Sequence, residues 1–106
     1  MAVYALGIWT ASPGREDEFV EAWRSLAAET ASDFPGSTAM LLRDRDSPNR
    51  FISYGPWKSL EEIASWRESA TFRDGVARIR ELVEHFEPHT MDVAASVGLT
   101  NADVRR

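Results

Sequence analysis

The sequence predicts an α+β fold: a ferredoxin-like β-α-β-β-α-β chain with a four-stranded antiparallel sheet, paired with a second copy into a dimeric α+β barrel. Three observations predict it. Short β-branched and aromatic runs alternate with helical stretches in that order. Proline and glycine punctuate them at Ser12-Pro-Gly14, at Asp33-Phe-Pro-Gly36 and at Pro88. The first strand is apolar on both faces, with Val3, Ala5, Gly7 and Trp9 on one and Tyr4, Leu6 and Ile8 on the other. Right-handed crossovers put both helical connections on one side of the sheet, so the chain covers only one face itself. A second copy of the same sheet is the simplest cover for the other.

Each element has its own signal. Residues 3–10 are a strand. Glu16, Asp17 and Glu18 suit the positive end of a helix, and Phe19, Trp23, Leu26, Ala27 and Thr30 share one helical face. Residues 37–44 and 51–57 form a hairpin across the polar turn 45–50. Ser59 and Glu62 have capping-box spacing, so a helix starts there and ends near Ser69. A further helix is predicted from about Thr71 to His85, with Phe72, Val76, Ile79, Leu82, Val83 and Phe86 on its apolar stripe. Pro88 is expected to stop it, and residues 89–97 to form the last strand. Residues 1–98 are read as one domain and 99–106 as a polar C-terminal tail.

Composition narrows the function. A net charge of −5 argues against nucleic acid as a partner. With no cysteine, disulfides, thiolate metal sites and a cysteine nucleophile are excluded. The apolar opening is too short for a signal peptide or membrane span and has no basic start, so the expectation is a cytoplasmic protein without a membrane partner. No phosphate loop, dinucleotide fingerprint, Gly-x-Ser-x-Gly or His-Glu-x-x-His is present. Gly7, alone in a strand, signals close backbone approach.

The candidate site residues follow from their faces. Arg67 falls on the side of Leu60, Ile63 and Ala64, where a guanidinium needs an anion or carbonyls; the plain alternative is a surface ion pair. Trp66 lies on the flank of that face, as a pocket wall or as packing. Tyr54, in phase with Ile52, is a candidate to present a hydroxyl to a cavity. These three are the candidate catalytic residues. Phe72, Trp9 and His89 are the candidates for substrate binding. Trp9 is otherwise a core or interface aromatic, like Trp23 and Trp57. His89 alternates with Met91, Val93 and Ala95; a boundary histidine bonded to a carbonyl is the plain reading. His85 and His89 are too few for a metal site, which needs three or four converging ligands.

The strand Phe51–Trp57 followed by Ser59-Leu and then Trp66-Arg-Glu-Ser-Ala-Thr-Phe72 resembles the antibiotic biosynthesis monooxygenase family, as do the Val3–Trp9 strand, Pro-Gly-Arg15 and Phe-Pro-Gly36. The resemblance spans residues 3–97. It implies a homodimer with an apolar site for a small hydrophobic or aromatic ligand. It also implies a monooxygenase that oxidises quinol- or anthrone-type polyketides with molecular oxygen, using no cofactor and no metal. A non-enzymatic ligand-binding barrel is the second reading. The haem-degrading branch is the third; it carries an Asn on the first strand and a His ten residues after the helical Trp. Here those places hold Gly7 and Val76, which argues against it.

Overall fold

The computed structural model describes residues 2–98. The expected polar tail lies outside them. The elements are β1 (Val3–Ala11), α1 (Glu16–Asp33), β2 (Met40–Arg43), β3 (Arg50–Trp57), α2 (Leu60–Glu68), α3 (Ala70–Arg80) and β4 (Val83–Asp92). The four strands lie in the order β2-β3-β1-β4, all antiparallel, which is the ferredoxin-like arrangement. No helix among the described residues is long and apolar enough to cross a membrane.

Alternation along the strands sets the core. Trp9 on β1 pairs with Phe51 on β3 and Phe86 on β4, so three aromatics meet on the helix side of the sheet. Phe19 of α1 packs between Trp9 and Phe51, at centroid distances of 5.4 and 4.8 Å. Phe19, Phe51 and Ile79 are fully enclosed. Each such side chain contributes roughly 1.5–3 kcal/mol by leaving water. A second cluster of Val3, Trp57 and Ile63 seats α2 on the other end of the sheet.

The helix-free face carries the other phase. Tyr4, Leu6 and Ile8 of β1 sit beside Ile52 and Tyr54 of β3. At its margins Met40 is 52% exposed, Leu42 47% and Met91 41%. This is a broad apolar surface that no helix among the described residues covers.

Two stretches of the chain differ from the sequence reading. The last helix ends at Arg80, not near His85, and β4 starts at Val83. Leu82 N–H bonds the Ile79 carbonyl at 2.8 Å, and Ser12 N–H bonds the Leu82 carbonyl at 2.9 Å, which turns the chain into the sheet edge. Phe86 is apolar because it stacks on Trp9 at 3.9 Å from a strand, so helical spacing misread a sheet contact. Pro88 sits inside β4; an edge strand tolerates the missing N–H. The strand ends at Asp92 instead of Val97. The second difference is β2, which starts at Met40 because Ser37, Thr38 and Ala39 cross over Gly55. A Cβ on Gly55 would lie 2.2 Å from the Thr38 carbonyl oxygen, so only glycine lets this strap lie there.

Candidate functional site

Ser69 builds the corner on which the site depends. Its N–H and Oγ–H both reach the Trp66 carbonyl, at 3.0 and 2.6 Å, closing α2. Its Oγ then accepts the Phe72 N–H at 3.2 Å, opening α3. One serine therefore ends a helix and caps the next, and the bend brings Trp66 edge-on to Phe72 at 4.7 Å. At the other end of α2, Ser59 Oγ accepts the Glu62 N–H at 3.1 Å, as the capping spacing predicts.

Trp66 is held on three sides. It stacks on Trp57 at 4.9 Å, meets Phe72, and donates its indole N–H to Oγ1 of buried Thr30 on α1 at 3.0 Å. With these neighbours it walls a cavity of about 90 Å³ between helices and sheet, several times the ~10–15 Å³ that one water requires. Trp9, Trp23, Phe72 and Phe86 line the rest, with the strap 37–39 over one side. Trp9 donates its indole N–H to Ser53 Oγ at 2.9 Å. A Cβ on Gly7 would sit 2.9 Å from both of those atoms, so the bare glycine is what permits the bond. The cavity wall is thus largely aromatic here, with both indole N–H groups already paired.

Arg67 supplies the charge. From the last turn of α2 its Nη1 donates to Thr90 Oγ1 at 2.8 Å and its Nη2 to the His89 carbonyl at 3.0 Å. Its Nε is buried and has no acceptor. No carboxylate forms an ion pair with it among the described residues, and burial holds its pKa below the ordinary arginine value. A guanidinium stays ionised at neutral pH even so. The arrangement leaves a positive charge beside an aromatic cavity, neutral partners on two nitrogens, and a donor unpaired on the third.

The other expected residues divide. Phe72 and Trp9 line the cavity with Trp66 and Arg67. Tyr54 does not deliver its hydroxyl there. It touches the cavity wall, but its phase places the ring on the helix-free face, 6.5 Å from Tyr4, where the hydroxyl donates to Met40 Sδ at 3.4 Å. His89 also turns away. Its imidazole Nε2 meets Glu87 at 2.8 Å on the helix-free face, and only its carbonyl reaches the site. The reason is register: Pro88 and Thr90 pair with Gly7 and Ala5 on the helix side, so residue 89 points the other way. Glu87 lies between His89 and His85, whose hydrogen bonds hold its carboxyl below the usual carboxylate range.

Thr30, Ser53 and Thr90 are the contacts that the sequence reading missed. Thr30 had a signal, a hydroxyl within an apolar helix stripe. Thr90 had one only once β4 is placed correctly, since it then shares a face with Phe86 and Pro88. Val76 is buried in the main core, and Gly7 has no room for a side chain, so neither place could take the groups of the haem-degrading pattern without rearrangement.

Comparison with known proteins agrees with this architecture. The sequence profile described as antibiotic biosynthesis monooxygenase matches residues 2–78, which include Trp66, Arg67 and Phe72. The fold is similar to SnoaB, a cofactor-independent oxygenase from Streptomyces nogalater, seen as a point mutant: TM-score 0.80 at 20% identity, covering 91% of this chain and 96% of that one. It is similar to a candidate antibiotic biosynthesis monooxygenase from Nitrosomonas europaea, with TM-score 0.74, 18% identity, and 90% and 100% of the two chains covered. It is also similar to a conserved protein from Methanosarcina mazei Go1, with TM-score 0.76, 17% identity, and 85% and 90% covered. No curated protein matches the sequence. From the profile match over most of its length, this chain belongs to the antibiotic biosynthesis monooxygenase family.

Proposed function

We propose that the chain is a cofactor-independent monooxygenase acting on a small aromatic quinol or anthrone-type molecule. One observation carries this reading: the unpaired Nε of Arg67 beside a cavity walled by Trp66, Phe72 and Trp9. Ground-state oxygen reacts slowly with neutral organic molecules. An anthrone whose proton passes to water becomes an electron-rich anion and reduces oxygen itself. The carbon radical and superoxide then join as a peroxide anion, which takes a proton back from water, and loss of water from the hydroperoxide leaves the quinone carbonyl. One oxygen atom enters the product and the other leaves as water.

The protein's part in this is electrostatic. A cation beside an apolar cavity favours the anionic ligand, lowering its pKa by roughly 1–3 units at close range. The aromatic walls suit a planar ring. The test is oxygen uptake by purified protein with 1,8-dihydroxyanthrone in the presence of a chelator. One oxygen consumed per anthraquinone formed supports the reading; uptake no faster than in buffer sinks it.

A second reading has its own observation. Among the described residues no carboxylate or imidazole side chain lines the cavity, so none of them offers a ligand there a strong proton acceptor. That arrangement also suits a non-enzymatic binder of aromatic anions. Saturable binding without any oxygen uptake would select it.

We also infer that two chains associate through their helix-free faces. The support is the apolar surface of Leu6, Ile8, Met40, Leu42, Ile52 and Met91, of a kind that isolated chains rarely leave in water. Light scattering should give about twice the chain mass of 11.9 kDa. A concentration-independent monomer would remove the inference.

A further inference from the structure

The guanidinium of Arg67 is held without being neutralised, and the way it is held has a consequence for the ligand. Both partners are neutral acceptors on adjacent residues of β4, the Thr90 hydroxyl and the His89 carbonyl. A carboxylate in either place would cancel the charge that the cavity receives. Two contacts also fix a plane. A guanidinium is rigid and flat, so bonds from two of its nitrogens set the direction in which the third points. One contact alone would leave it free to pivot about a single N–H···O axis.

Of the two contacts, the His89 carbonyl is backbone within a paired edge strand and is present whatever side chain stands there. The Thr90 hydroxyl is the only side-chain atom bonded to the guanidinium among the described residues. Thr90 is exposed and Arg67 is only half-buried, so water is within reach of the head group if that bond is lost. The Arg67 Nε lies at the buried end, unpartnered.

From this we infer that Thr90 is the positioning residue of the site. Its hydroxyl holds the Arg67 guanidinium in place where Arg67 lines the cavity, and so selects ligands bearing an ionisable ring oxygen over neutral ones of the same shape. This rests on the reading of Arg67 as the group that meets the ligand's oxyanion. Thr90 touches no ligand in this scheme; it acts through Arg67.

The test reads the charge of a bound ligand and not turnover. The probe is 2-hydroxyanthraquinone, whose phenolate absorbs in the visible and which is already at the quinone level, so it is not consumed. Its apparent pKa is measured free and bound to the full chain, with anthraquinone as the neutral control. Wild type should lower the bound pKa by about one unit or more, as a cation at short range does. Thr90→Val, which keeps the shape and removes the acceptor, should abolish most of that shift and leave anthraquinone affinity within about twofold of wild type, the scatter of a surface change. Thr90→Ser should restore the shift. If wild type binds the dye with no shift, or does not bind it, the Arg67 reading fails and takes this inference with it. If wild type shifts the dye and Thr90→Val shifts it equally, Arg67 stands and the role of Thr90 is overturned. Loss of the shift in Thr90→Ser as well as Thr90→Val would also overturn it, since the hydroxyl would then not be the cause.

Discussion

Gly55→Ala is the most direct challenge to the strap that covers the cavity. The added Cβ would stand 2.2 Å from the Thr38 carbonyl oxygen, 3.1 Å from Ala39 Cα and 3.2 Å from Ala39 Cβ. Two of these three are backbone atoms, so no side-chain rotation relieves the contact. The strap must lift by about 1 Å, and overpacking of this kind costs roughly 1–3 kcal/mol. With a denaturant slope of about 1 kcal/mol per molar urea for a small domain, a cost near 2 kcal/mol lowers the midpoint by about 2 M. The assay is urea unfolding at fixed protein concentration, because association shifts the midpoint by mass action. Gly75→Ala is the control. Gly75 is in helix α3, and its Cβ would meet only side-chain atoms of Leu26 on α1 at closest range, Cδ1 at 2.7 Å and Cβ and Cγ at 3.3 Å. Helix propensity returns up to ~1 kcal/mol there, so the net change should stay within about 1 kcal/mol of wild type. A Gly55→Ala variant no less stable than Gly75→Ala would refute the reasoning about the strap.

Other expectations concern the site's supports. Trp66→Phe removes the donor to buried Thr30 and should cost about 1–3 kcal/mol, while Thr30→Val together with Trp66→Phe should recover part of it, because neither polar atom is then left unpaired. A double-mutant cycle in urea checks this, and strict additivity would contradict it. Glu87 should titrate below its ordinary value of 4.5 by carbon-detected NMR, with His89→Ala raising it more than His85→Ala, since the His89 bond is the larger cause. A folded-state pKa held low means the contribution is fully present above pH 4.5 and is lost as the pH falls through the folded value. Equal effects of the two histidines would show that the cause is misassigned.

Much of the fold was legible because its signals were local and mutually consistent. The Ser59 cap, the acidic start of α1 and the two-faced alternation of β1 each name their own element. The α3–β4 boundary was not legible, because Leu82, Val83 and Phe86 satisfy a helical period while their burial comes from packing beside β1 and the core. That one misplacement carried the site errors on β4. It hid Thr90 and gave His89 a role in the cavity that its side chain does not reach. Tyr54 failed for a different reason. Alternation shows that residues 52 and 54 share a face, but both faces of the sheet are apolar, so sequence alone does not say which one the helices cover. Trp66 and Phe72 were recoverable because the serine corner between them fixes their meeting.

The central claim is that the Arg67 charge drives the chemistry without supporting the fold, and Arg67→Met measures that directly. Methionine keeps most of the apolar stem and removes a half-buried cation with an unpaired Nε, so thermal stability should stay within a few degrees of wild type or rise. Turnover of 1,8-dihydroxyanthrone, followed as oxygen uptake, should fall by about 10²–10³-fold in kcat, the size expected for losing one preorganised donor to a developing oxyanion. An Arg67→Met protein that folds normally and keeps kcat within about twofold of wild type would contradict the account.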